Sequence, residues 1–279
     1  DDALGNVSNP LIERENNQTE LLNLHVFGNA YLQYKPFDWM TFKTTFSPDT
    51  YFQRTGSYAG KDSKNGKGQA ANATAGNDWD RSLSYTWTNV LTFDKSFNEN
   101  HSIDAMIGTE WVKNVSEGLT SEVKGFSSDH YKFYNLAAGT TISDLASDYL
   151  QDQWMSYFAR MNYTLKGRYL FTVTGRYDGS SRLAEGHRWK FFPSAAVGWR
   201  ITEEDFMQSV DWVNNLKLRL SYGLSGNNSN VSPYMTSTNI DNLYYVFGGG
   251  TPTTASVISN MANRSLSWET TKEWNLGLD

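Results

Sequence analysis

The 279-residue chain contains no cysteine, which excludes a disulfide framework and a thiolate metal centre. It has no run approaching about 18 consecutive apolar residues, so no membrane-spanning helix is expected. Histidine is scarce: His25, His101, His130 and His187 stand far apart, with no pair at metal-ligand spacing. Basic residues are outnumbered, 24 Lys and Arg against 30 Asp and Glu for a formal net charge of −6. A nucleic-acid surface would be basic, so nucleic acid is not an expected partner. A Gly-rich phosphate loop is absent, and Gly223-Leu224-Ser225-Gly226 lacks the spacing of a nucleophile elbow. Asp144 with Asp148, or Glu203-Glu204-Asp205, could be read as paired carboxylates, but acidic clusters beside a helix start more often cap it. Neither catalytic residue, metal nor cofactor is expected, and the chain reads as a non-enzyme. No secretory signal opens at Asp1, so such a signal was removed or lies upstream.

What is present is aromatic and alternating. Ten Trp and 16 Tyr, with a mean hydropathy of −0.57, suit either interfacial girdles or carbohydrate-stacking surfaces. The organising stretch is 157–200. Tyr157, Ala159, Met161 and Tyr163 alternate with Phe158, Arg160 and Asn162. After Lys166-Gly167-Arg168, Tyr169, Phe171, Val173, Gly175 and Tyr177 alternate with Leu170, Thr172, Thr174 and Arg176. A third run sets Phe191, Pro193, Ala195, Val197 and Trp199 against Ser194, Ala196, Gly198 and Arg200. Period two with one polar face predicts strands. Each run lasts roughly 9 to 12 residues, about what a tilted strand needs to cross a bilayer. Aromatics close both ends of the apolar face, as at two water interfaces.

The same pattern predicts strands over 22–34, 39–52, 82–93, 102–111, 216–224 and 270–279. Residues 1–20 read as polar and irregular, and 202–215 as one short helical turn. Long polar loops are expected over 53–81, 113–152 and 225–267, with a smaller one at 178–190. Small turns at one end and large loops at the other describe a membrane barrel. The expectation is all-β, an antiparallel up-and-down transmembrane barrel. About nine strands cannot close in lipid without unpaired backbone, so residues 1–279 are expected to be part of a larger barrel domain.

Several blocks resemble SusC/RagA-type TonB-dependent outer-membrane transporters of Bacteroidetes. They are Arg176-Tyr177-Asp178-Gly179-Ser180-Ser181-Arg182, Phe192-Pro193-Ser194-Ala195-Ala196-Val197-Gly198-Trp199-Arg200 with Glu203-Glu204-Asp205-Phe206, the stretch 216–228, and 266–279. The resemblance implies a barrel of about 22 strands with a plug in the outer membrane of a Gram-negative bacterium. It further implies import of glycans or peptides with a SusD-like surface lipoprotein as lid, energised through TonB-ExbB-ExbD. A plug, a TonB box, an N-terminal extension and closing C-terminal strands have no counterpart in these residues. A secreted soluble carbohydrate-binding β-protein and a passive outer-membrane porin are the alternative readings.

Candidate substrate or lid contacts are the aromatics expected in long loops: Tyr58, Trp79, Tyr131, Tyr134, Tyr244 and Tyr245. By parity Lys43, Glu110, Arg160, Arg176 and Arg219 face the lumen, and Arg176 with Asp178 and Arg182 reads chiefly as a barrel-rim network.

Overall fold

The computed structural model describes residues 9–210, 212–246 and 253–279. One short helix, α1 (Pro10–Asn16), opens it. Strands follow: β1 (Asn17–Phe27), β2 (Ala30–Phe37), β3 (Met40–Ala59), β4 (Thr74–Asn98), β5 (His101–Lys124), β6 (Thr141–Leu165), β7 (Tyr169–Ser180), β8 (Trp189–Arg200), β9 (Lys217–Asn227), β10 (Asn239–Tyr245), β11 (Thr253–Asn260) and β12 (Glu269–Leu278). The main sheet runs β1-β3-β4-β5-β6-β7-β8-β9-β12, with β2 also on β3, while β10 and β11 form a separate two-stranded sheet. From β3 to β9 strands consecutive in sequence are neighbours, the meander expected from the sequence, while β1 lies antiparallel on β3 and β9 antiparallel on β12.

Several boundaries differ from the sequence reading. Residues 10–16 are helical where irregular chain was expected, because Pro10 fits the first turn and the Asn9 side chain accepts from the Leu11 amide at 3.0 Å. The strand expected over 22–34 is broken at Gly28-Asn29, opposite Pro48, which has no N–H to donate to a ladder. The loops expected over 53–81 and 113–152 are mostly strand, since β3 to β6 are 20 to 25 residues long. The stretch 225–267 carries the β10–β11 hairpin. Two single 3-10 turns, Ile201–Glu203 and Asp205–Met207, stand where one helical turn was expected.

The chain divides into two compact units. The first comprises 1–28, 48–85 and 114–151. Its core is a small cluster of Tyr58, Ala73, Ala75, Val123, Phe126 and Phe133. The chain between β5 and β6 folds back so that Phe133 lies over Gly56, and the Phe133 carbonyl accepts from Asn77 Nδ2 at 2.7 Å. Only a residue without Cβ leaves room there, since a Cβ on Gly56 would stand 2.5–2.9 Å from the ring.

The second unit comprises 29–47, 86–113 and 152–279. Here register aligns the apolar sides of successive strands into rows. Met161 pairs with Val173, Val173 with Ala195, Ala195 with Tyr222, and Tyr222 with Trp274. A neighbouring row runs Tyr163, Phe171, Val197, Leu220, Leu276. These side chains are exposed: Val173 53%, Val197 47% and Leu218 38%. The opposite side holds the buried groups, Ser156 and Phe192 among them. A water-soluble sheet would hide its greasy face; this one displays it. Lys166 and Gly167, both at positive φ, close the tight turn between β6 and β7.

Candidate functional site

On the polar side, Arg176 in β7 gathers three partners. Its Nε donates to Asp178 Oδ1 at 2.7 Å, and one terminal nitrogen donates to Glu110 Oε1 at 2.9 Å and Ser156 Oγ at 2.7 Å. Residues 176 and 178 share a face because the strand period is two, and Glu110 reaches them from β5. The planar fork satisfies these partners at once, with the guanidinium carbon 5.6 Å from the Phe158 ring centroid. Arg182 lies near the long-loop end of β7, donating to Asp152 Oδ1 at 3.0 Å and to the Val231 carbonyl at 3.4 Å. It therefore ties β6 to the segment leading to β10.

Arg160 and Arg219 stand apart from that pair of clusters. Arg160 Nε donates to Asn162 Oδ1 at 3.3 Å, and Asn162 in turn donates to Asp104 at 2.8 Å. Arg219 donates to Asp279 Oδ1 at 2.6 Å. The Lys43 ammonium lies 4.4 Å from the Tyr31 ring centroid, a cation–π contact.

Sequence reasoning weighed Glu203-Glu204-Asp205 as paired carboxylates and favoured a cap beside a helix start. The structure makes Glu204 a clamp: Tyr169 donates to it at 2.7 Å, Trp199 Nε1 at 2.9 Å and Arg168 at 2.9 Å. Arg168 also holds Asp205 at 2.8 Å. The Tyr169 hydroxyl, then the Trp199 and Arg168 donors, hold the Glu204 carboxyl below the usual carboxylate range. The recurrence of Tyr, Trp and Arg at strand ends beside an acidic turn was the signal available for this site.

The six aromatic candidates disperse. Tyr58 and Trp79 lie in β3 and β4, and Tyr244 and Tyr245 in β10, so these four are on strands instead of loops. Tyr58 is 4% exposed, with its hydroxyl donating to Asp129. Burial first, then Asp129, raises its pKa. Its ring packs in the core of the first unit, so its expected place in a loop is corrected to the end of β3. Trp79 packs on Phe52, ring centroids 5.4 Å apart. Tyr131 and Tyr134 do lie between β5 and β6; Tyr134 donates to Glu20 at 2.8 Å, and Glu20 also pairs with Arg54. Tyr244 and Tyr245 are exposed on the β10–β11 hairpin. Among the described residues no cluster of His, Cys, Asp and Glu could hold a metal ion.

An exposed apolar belt on one side, ion-paired polar groups on the other and an antiparallel meander from β3 to β9 together define a section of membrane β-barrel wall. The comparisons with known proteins carry this to a family. The family model described as TonB dependent receptor-like, beta-barrel, matches residues 5–279, and the chain belongs to that family. TonB-dependent receptor P26 of Formosa agariphila is 32% identical over 277 residues, covering 98% of this chain and 27% of that protein. TonB-dependent receptor SusC of Bacteroides thetaiotaomicron is 42% identical over 127 residues, 45% of this chain and 13% of SusC. Among solved structures, the RagAB peptide importer in its open-open state superposes with a TM-score of 0.82 at 25% identity, over 95% of this chain and 28% of that one. The chain thus spans about a quarter of the length of the curated relatives it matches.

Proposed function

We propose that this chain is wall from a TonB-dependent outer-membrane importer of the SusC/RagA type, and that the whole protein takes up glycans or peptides. The observation that carries the reading is the exposed belt running unbroken in register from β6 to β12, in a chain of this receptor family. The apolar rows meet acyl chains, and the Arg176 side lines the lumen. Passage involves binding and gating without covalent chemistry. Ion-paired Arg176, Asp178, Arg182 and Arg219 stiffen the wall against which a plug is held and remodelled by TonB.

A SusD-like lipoprotein fits as the lid over the long-loop end. The β10–β11 hairpin supports this placement. A two-stranded sheet is marginal alone, and Ile240, Leu243, Tyr244, Tyr245 and Ile258 are all exposed on it. Tyr131 and Tyr134 are further candidates for lid or substrate contact. Deletion of the gene followed by growth on single glycans or peptide mixtures tests the reading. The expected result is loss of growth on one nutrient class, restored by the intact gene but not by one lacking its TonB box. Equal restoration by both would point to a passive pore.

A further inference from the structure

The connection from β8 to β9 displays large apolar side chains that lie outside the rows of the belt. It is described over 201–210 and 212–216. Trp212 is 85% exposed, the most open large apolar side chain among the described residues, and Phe206 is 62% exposed. The ends of the connection are closed on each other, since the Ile201 amide donates to the Leu216 carbonyl at 2.8 Å. Two 3-10 turns, Ile201–Glu203 and Asp205–Met207, shape its first half, and the Val210 amide extends them by donating to the Met207 carbonyl at 2.9 Å.

Glu204 decides which way this connection leans. Tyr169 and Trp199 stand opposite each other in register, at the start of β7 and near the end of β8. By parity they belong to the outward side, with Phe171 and Val197 as the next outward pair. Their polar tips both donate to Glu204 Oε1, at 2.7 and 2.9 Å. An acceptor shared by two outward rings draws the connection to the outward rim of the sheet, away from the lumen. Its level is fixed as well. The Arg200 amide donates to the Arg168 carbonyl at 2.8 Å, so the connection starts beside the tight β6–β7 turn. Arg168 pairs with Glu204 at 2.9 Å and with Asp205 at 2.8 Å, so these two carboxylates reach the rim already neutralised.

The outward rim at the tight-turn end is the aqueous edge of the apolar belt, where Tyr and Trp gather on membrane barrels. We infer that the β8–β9 connection is an interfacial anchor. It lies on the leaflet at the tight-turn end, with Phe206 and Trp212 seated among the headgroups and upper acyl carbons of its phospholipids. The partner is a lipid surface because the clamp on Tyr169 and Trp199 makes the connection continuous with the belt. Open aromatic rings at that edge gain by entering the interface.

This inference rests on the membrane reading above, and its test separates the two. The full-length receptor, in nanodiscs of phosphatidylethanolamine and phosphatidylglycerol, carries one fluorescently labelled cysteine at position 206, 209, 212 or 173. Quenching by iodide reports water; quenching by lipids with a nitroxide near the headgroup or deep in the chain reports depth. Labels at 206 and 212 should be quenched several-fold more by the shallow nitroxide than by iodide. The label at 209, where an exposed serine stands between the two rings, should show the reverse, and the label at 173 should respond to the deep nitroxide. Glu204→Ala removes the acceptor that Tyr169 and Trp199 share, so the label at 212 should gain iodide access while that at 173 does not change. Iodide quenching at 206 and 212 equal to that at 209, with 173 still deep, overturns the anchor and leaves the barrel standing. Unchanged shielding at 212 in Glu204→Ala overturns the clamp on which the placement rests. Iodide access at 173 in the wild-type background overturns the membrane reading itself.

Discussion

Replacing Val173 by arginine should destabilise the folded barrel by about 2–4 kcal/mol, the cost of a charge on the lipid face near midplane. Val173 is suited to the test by depth and by neighbours. It stands about five residues from the β6–β7 turn, so at roughly 3.3 Å per residue and a tilt near 40° it lies about 13 Å into a belt about 25 Å tall. Its cross-strand partners are Met161 and Ala195, neither of which could receive the charge. A loss of 2–4 kcal/mol lowers the folding constant roughly 30- to 700-fold. The control is Val257→Arg on the β10–β11 hairpin. The two valines are similarly open, 53% and 46% exposed, and a water-exposed change of this kind costs within about 0.5 kcal/mol. Folding of the full-length receptor into phospholipid vesicles, followed by urea titration and gel shift, measures both. Equal effects at the two valines would refute the claim that one meets lipid and the other water.

Three further outcomes follow, two from the polar side and one from the core of the first unit. Glu204 has a depressed carboxyl pKa through Tyr169, Trp199 and Arg168, so its contribution is present above the ordinary carboxylate range and is lost as pH falls through the lowered folded value. The temperature of the heat-modifiable shift should therefore fall on acidification, and Glu204→Gln should flatten that dependence. Arg176→Lys should cost about 1–3 kcal/mol in the same urea assay, since an ammonium cannot serve the fork's partners together; Arg160→Lys, with a single 3.3 Å contact to Asn162, should cost less. Gly56→Leu collides with the Phe133 ring and should cost about 1–3 kcal/mol by overpacking. It should also open the segment between β5 and β6 to limited proteolysis, whereas Gly118→Ala in the same unit should not.

The belt was legible because it is where alternation is strongest. From Tyr157 to Trp199 a lipid face and a polar face differ at every step, and parity alone assigned Val173 outward and Arg176 inward. Strand ends were illegible for the same physical reason. Beyond the belt both faces meet water, so β6 over 141–150 is exposed on both sides and its period-two signal fades. Gly, Asn and Ser in 53–59 and 74–81 resembled loop, yet there they pair as strand. The Arg176 cluster was partly readable, because Arg176 and Asp178 share a face in sequence. Glu110 is 66 positions away, and no local pattern announces such a partner. Glu204 was missed since its donors come from two strand ends and a turn brought together by register. Tyr58 was misplaced because a buried tyrosine and a loop tyrosine look alike without the ring of Phe126 against it.

The most direct measurement is a nitroxide scan along β7 in the full-length receptor reconstituted in bilayers. Single cysteines at positions 170 to 176, in a stretch with no native cysteine, report collision with molecular oxygen, which favours lipid, and with a water-soluble nickel chelate. Labels at 171, 173 and 175 should be oxygen-accessible and shielded from nickel, and those at 170, 172, 174 and 176 should show the reverse phase. Nickel access at 171 and 173 equal to that at 172 and 174 would contradict the assignment of this face to the membrane.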